Sequence, residues 1–162
     1  MTARTEGIDE LALPDLERRT ANAIRYGRIM AVDYANARVR VKSGEIESAW
    51  LPWSTGRASG AKRRWDPPEV GEQVVMLSPG GDMRQAVVLT GVFQQSAGAP
   101  SASPTKDTTV YGDGAVIEYD RGSHTHLVDV PAGGKILLRC GASSIEISDS
   151  GVKITAPRID LN

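Results

Sequence analysis

Apolar and polar residues alternate along most of this chain, and near the C-terminus the alternation becomes a repeat. Ile145 and Ile147, Val152 and Ile154, and Ile159 and Leu161 form apolar pairs at a seven-residue spacing, the first two followed by Ser-Asp-Ser-Gly and Thr-Ala-Pro-Arg. An apolar–polar–apolar triplet closed by turn-forming residues predicts a short strand with one buried face. Strands of this kind make a ribbon that is apolar on one side, and this stretch of sequence holds no second layer to cover it. Several copies wrapped around a common axis would bury those faces against one another. The expected form is an intertwined trimeric β-helix or β-prism. Its core would be Val128, Val130, Ile136, Leu138, Ile145, Ile147, Val152, Ile154, Ile159 and Leu161, with Glu146, Ser148, Lys153 and Thr155 facing water.

Upstream, shorter alternating runs at residues 28–33, 38–42, 48–53, 73–77 and 85–92 are separated by turn signals at Asn36, Gly71 and Pro79-Gly80-Gly81. Short strands at this density predict a small Greek-key barrel of the OB type, with Val39 and Val41 inward. A polar insert at 54–69 carries Arg57, Lys62, Arg63, Arg64 and Trp65. Ahead of the barrel, residues 14–25 read as a helix, with Pro14 at its first position, acids early and Gly27 as a stop. Leu13, Leu16, Thr20 and Ile24 form a thin apolar stripe on it. A helix with so little to bury packs weakly on its own domain, so Leu13, Leu16 and Ile24 are expected to dock on a partner. A Ser/Ala/Gly/Pro segment at 96–107 reads as a semi-extended linker. The expected fold is therefore all-β: arm and helix 1–25, OB-fold barrel 26–95, linker 96–107 and trimeric spike 108–162.

Charge narrows the classes of function. With 19 Lys and Arg against 20 Asp and Glu, no global field favours nucleic acid or a membrane surface. The lone cysteine, Cys140, excludes an intrachain disulfide framework, and its apolar neighbourhood reads as packing rather than as a reactive thiol. No run reaches the ~20 apolar residues of a membrane span. The first residues carry a cation without a following apolar run, so no secretory leader is expected.

Candidate chemistry is sparse. His124 and His126 are the one metal-like pair; on a strand they would share a face, and three copies would offer six nitrogens around an axis. No carboxylate accompanies them as a supporting partner, so a packed or rim pair is the favoured reading and an axial metal ion the lesser one. The arginines of the insert suggest a nucleic-acid loop on an OB-fold. That use needs interleaved stacking aromatics, so a solvated loop touching a neighbouring protein is favoured and no nucleic-acid partner is expected. Phosphate-loop, zinc-protease and nucleophile-elbow patterns are absent from the sequence, and the carboxylate pairs Glu45/Glu47 and Glu69/Glu72 flank turns rather than a cleft. No catalytic residue, no cofactor and no enzymatic activity are expected.

Several strings resemble the baseplate assembly protein V family, the central spike of contractile phage tails and pyocins. They are Asn22-Ala-Ile-Arg-Tyr-Gly-Arg-Ile, Arg38-Val-Arg-Val and Ala49-Trp-Leu-Pro-Trp, then Trp65-Asp-Pro-Pro-Glu-Val-Gly-Glu-Gln-Val, Val88-Leu-Thr-Gly-Val-Phe and Asp113-Gly-Ala-Val-Ile-Glu-Tyr-Asp. Their order and spacing agree over roughly residues 20–120. The resemblance implies a homotrimer with an OB-fold collar on the baseplate hub and a β-helical needle aimed at the host outer membrane. It also implies a place in a virion or pyocin tail baseplate, assembled in the bacterial cytoplasm. Spikes of this type often carry a His-x-His pair near the C-terminus that binds iron. Ile159-Asp-Leu-Asn162 lacks it, so either the needle is short and blunt or a separate PAAR-type tip protein covers its end, the second reading being favoured. The needle tips of type VI secretion share this plan, and the residues leave phage, pyocin and secretion system open. The alternative class is an OB-fold module that binds nucleic acid or glycan and oligomerises through its tail.

Overall fold

The computed structural model describes residues 9–160; the N-terminal arm up to residue 8 and Leu161 of the expected shaft core lie outside the described residues. The chain divides into two compact units, Met1–Ala97 and Gly98–Asn162. The fold is mostly β with one short N-terminal helix. The first unit comprises α1 (Asp9–Ala23), then β1 (Ile24–Asp33), β2 (Arg38–Ser43), β3 (Ile46–Glu47), β4 (Ala58–Ser59), β5 (Lys62–Arg63), β6 (Gln73–Leu77) and β7 (Val87–Leu89).

The helix departs from expectation at both ends. Pro14 lies inside it rather than at its start, where its ring withholds one backbone hydrogen bond. At the other end Ile24 leaves the helix and pairs with Leu77 as the first rung of the β1–β6 ladder, while the Ser78 N–H donates to the Ala23 carbonyl (2.8 Å). Gly27 therefore does not stop the helix but sits within β1. A Cβ there would overlap Val41 and come within 2.9 Å of the Lys42 carbonyl oxygen, so glycine is what lets β1 and β2 cross closely. Register against β2 then shifts between Ile29 and Ala31, a bulge that bends β1 further around the barrel.

The sheet runs β3-β2-β1-β6-β7, and residues 51–54 close it into a ring. Leu51 exchanges both backbone bonds with Val39 (2.8 and 2.9 Å). On the other side Trp53 bridges Val88 in parallel, with Ser54 N–H donating to Val88 and Val88 N–H to Pro52 (2.8 and 3.0 Å). The expected third strand at 48–53 is thus not continuous: β3 ends at Glu47, and Leu51 and Trp53 form single bridges. Ser48 Oγ replaces a backbone acceptor for Val41 N–H (2.8 Å), and Pro52 has no donor to offer. The expected fifth strand shortens in the same way, because a 3-10 turn at Met83–Gln85 precedes β7, with Asp82 accepting from the Arg84 amide. Ile29, Val39, Val41, Leu51, Val74, Met76, Ala86 and Val88 fill the ring, and Val32, Trp53 and Met83 pack against them.

The second unit is two successive antiparallel meanders. The first joins β8 (Lys106–Val110), β9 (Val116–Asp120) and β10 (Thr125–Asp129); the second joins β11 (Lys135–Cys140), β12 (Ser143–Ser148) and β13 (Gly151–Thr155). Two of the three sequence repeats are strands β12 and β13, whereas Ile159 follows β13 outside any strand.

Candidate functional site

In an antiparallel pair, residues directly opposite one another share a face. In the second meander Ile136 faces Ile147 and Ile147 faces Val152, while Leu138 faces Ile145 and Ile145 faces Ile154. Register therefore gathers these six side chains into two rows on one side of the sheet. The other side carries Lys135, Glu146, Lys153, Ser144 and Thr155, with an exposed ion pair from Lys135 Nζ to Glu146 (3.6 Å). Leu137 is the apolar exception there. Among the described residues, no side chain of this unit joins the buried apolar set: Leu138 is 60 % exposed, Val152 65 % and Ile154 56 %. Burying the open half of such a side chain is worth roughly 1 kcal/mol, so this face is a strong candidate interface.

The first meander divides differently. Ile117 and Tyr119 share a face with Val128 and His126, their partners in β10. On the opposite face Glu118 accepts from Lys106 Nζ (2.7 Å) and Thr108 Oγ1 (2.8 Å). Asp120 accepts from the Gly122 amide and from Thr105 Oγ1, each at 2.8 Å. The Lys106 hydrogen bond, then that from Thr108, holds Glu118 below its usual pKa. The Gly122 amide, then Thr105, does the same for Asp120, and the bond to Glu118 raises Lys106. These contacts are a polar clasp between β8 and β9.

Of the other core candidates, Val130 follows the end of β10 and is half-buried. His124 occupies the β9–β10 turn with φ of 55°, so the strand alternation that would align it with His126 does not reach it. His126 instead lies 6.3 Å, ring to ring, from Tyr119. Among the described residues no three His, Cys, Asp or Glu side chains are arranged to hold a metal ion.

The candidate docking residues Leu13, Leu16 and Ile24 are all exposed, the first two on α1 and Ile24 on β1. The helix is not loosely held. Arg19 Nε donates to the Gly80 carbonyl (2.9 Å), and a Cβ on Gly81 would sit 2.8 Å from the Arg19 carbonyl carbon. The Pro-Gly-Gly turn, read from sequence only as a connection, is thus a seat for the helix backbone. The insert folds back as the β4–β5 hairpin, with Thr55 Oγ1 donating to the Arg64 carbonyl (3.1 Å). It carries Trp65 to within 5.7 Å of Trp53, centroid to centroid, at an interplanar angle of 57°. Sequence spacing gave no sign of this pair, nor of Ile117 and Tyr119 joining Val128; both depend on which segments become neighbours.

The family described as the Type VI secretion system/phage-baseplate injector OB domain matches residues 25–93, the span of the closed ring. The spike protein of Escherichia phage P2 is 41 % identical over 108 residues, covering 67 % of this chain and 51 % of that protein. The chain spans about half the length of that curated relative.

Proposed function

Residues 25–93 belong to the Type VI secretion system/phage-baseplate injector OB-domain family, and on that premise we propose that the chain is the homotrimeric central spike of a contractile tail baseplate. The observation that carries the reading is the open apolar face of Ile136, Leu138, Ile145, Ile147, Val152 and Ile154. Three copies of the ribbon wound about one axis would turn these faces inward and pair the free sheet edges between chains. The barrels would then form a collar on the baseplate hub, with Leu13, Leu16 and Ile24 as contacts. On sheath contraction, force would pass down the shaft to the host outer membrane. Such a part works by stiffness and needs no catalytic residue. A PAAR-type tip protein would cover the far end, and assembly would take place in the bacterial cytoplasm. Similarity to a phage P2 spike favours a phage-type tail, while the family description keeps a secretion-needle tip as the second reading.

The test is absolute mass in solution, by light scattering behind size exclusion, for the whole chain and for residues 1–97. A whole-chain trimer with a smaller or weakly associating fragment supports the reading. A whole-chain monomer at micromolar concentration overturns it.

A further inference from the structure

The barrel unit has a second feature that the spike reading leaves unused. Between the β1–β2 turn, the segment after Pro52 and the β4–β5 hairpin lies an open cleft of ≈ 570 Å³, floored by Trp53 and Trp65 and lined by Arg38, Arg57, Arg63 and Arg64. Among the described residues, Arg38, Arg57 and Arg63 form no ion pair, and Arg64 meets only the exposed Asp66 (3.3 Å). Four guanidinium-bearing residues thus share one concavity with little counter-charge. We propose that this cleft binds an acidic peptide segment, rich in carboxylates and carrying one apolar anchor side chain. Guanidinium forks match carboxylates bidentately, and the tryptophan floor accepts an aliphatic or aromatic group that carboxylates alone would leave unsatisfied. Buried aromatic and arginine groups are also the residue types that anchor protein partners.

The same chemistry argues against a nucleic acid strand. Base stacking needs open aromatic faces in series. Here Trp53 is half-buried against the barrel core and tilted onto Trp65, so only Trp65 offers a free face. The inference goes beyond the spike reading and does not rest on it, because the cleft belongs to the barrel unit alone and exists whether or not the ribbon assembles.

The experiment titrates the full chain with a dye-labelled peptide of alternating glutamate and leucine. Its glutamine counterpart and an oligothymidylate run in parallel, read by anisotropy and by tryptophan fluorescence. The glutamate peptide is expected to bind, to perturb tryptophan emission and to weaken with salt. Arg57→Glu with Arg63→Glu should lower affinity about tenfold or more, and Trp65→Ala should lower it with circular dichroism unchanged. Arg84→Glu, on the 3-10 turn before β7, should leave it as it was. Absence of binding to the wild-type chain, equal loss in Arg84→Glu, or tighter binding of the oligothymidylate than of the peptide would each overturn the proposal.

Discussion

In the barrel unit Ile29, Val39, Val41, Leu51, Val74, Met76 and Val88 are sealed from solvent, whereas in the ribbon unit Leu138, Ile145, Ile147, Val152 and Ile154 stay between 39 and 65 % exposed. Both sets come from extended segments whose side chains alternate between two faces. The difference is closure. In the barrel, the rungs from Leu51 to Val39 and from Trp53 to Val88 join the two edges of the sheet, so one face becomes an interior. In each meander the edge strands β8 and β10, or β11 and β13, lack a further strand among the described residues. An open, apolar, unpaired sheet is an aggregation hazard unless a partner covers it. A barrel is thus self-sufficient at this size, while a ribbon of the same residues is half of an interface.

Charging the ribbon face should have the largest effect. Ile154→Asp sets a carboxylate at the β13 edge of the six-residue patch, opposite Ile145; in the proposed trimer three would approach one axis, a steep cost without counter-charge. Loss of the trimer by light scattering is expected, and a soluble variant of unchanged mass would remove the inward assignment of this face. Next in size, Met76→Ala in the barrel core should cost about 2–5 kcal/mol in chemical denaturation, and by the same amount at every protein concentration. The matching ribbon change, Ile147→Ala, should cost a comparable amount only where chains associate, so its effect must vary with concentration. Identical concentration dependence for the two variants would erase the contrast.

Smaller still, Gly81→Ala tests how the helix is tied to the barrel. Gly81 has φ of +75° and its backbone lies against that of Arg19, so alanine there should cost about 1–3 kcal/mol. A lowered thermal midpoint of the 1–97 fragment is the readout, and an unchanged one would mean that the helix is held elsewhere. The smallest effect concerns the clasp in the first meander. Glu118 and Asp120 have depressed pKa values in the fold, so their contribution is present above the ordinary carboxylate range and disappears as pH falls through their folded values. Lys106 is raised, so its contribution holds below the ordinary lysine pKa and disappears as pH climbs through the folded value. Glu118→Gln should flatten part of the acid-side decline in thermal midpoint while leaving the barrel's transition alone. An acid limb that keeps its full slope in Glu118→Gln would assign the decline to other carboxylates. The groups reach solvent, which keeps the effect modest.

Several features were legible residue by residue. Alternation located β1, β2, β6 and, in the ribbon unit, β10 to β13, because side-chain direction along a strand has period two and needs no knowledge of neighbours; β8, which begins inside the segment read as a linker, was not located. It also marked Val39 and Val41 as inward. Strand ends were less legible. Ile24 reads as a helix residue until Leu77 is placed beside it, and 48–53 reads as one strand until Ser48 Oγ intercepts a ladder bond. The histidine pair shows the same limit, since a left-handed turn residue at His124 interrupts an alternation that the sequence alone would extend.

The order of residues alone makes this chain a string of short amphipathic strands, with a small barrel ahead of a repeating ribbon. That information is local, written in the spacing of apolar side chains and in turn residues. Tertiary structure decided which strands meet: the closing rungs at Leu51 and Trp53, the Gly81 seat for Arg19, the Trp53–Trp65 cleft and the two apolar rows of the ribbon. Those features join residues far apart in the chain, and their free energy comes from the closure that brings them together. No window of the sequence contains it.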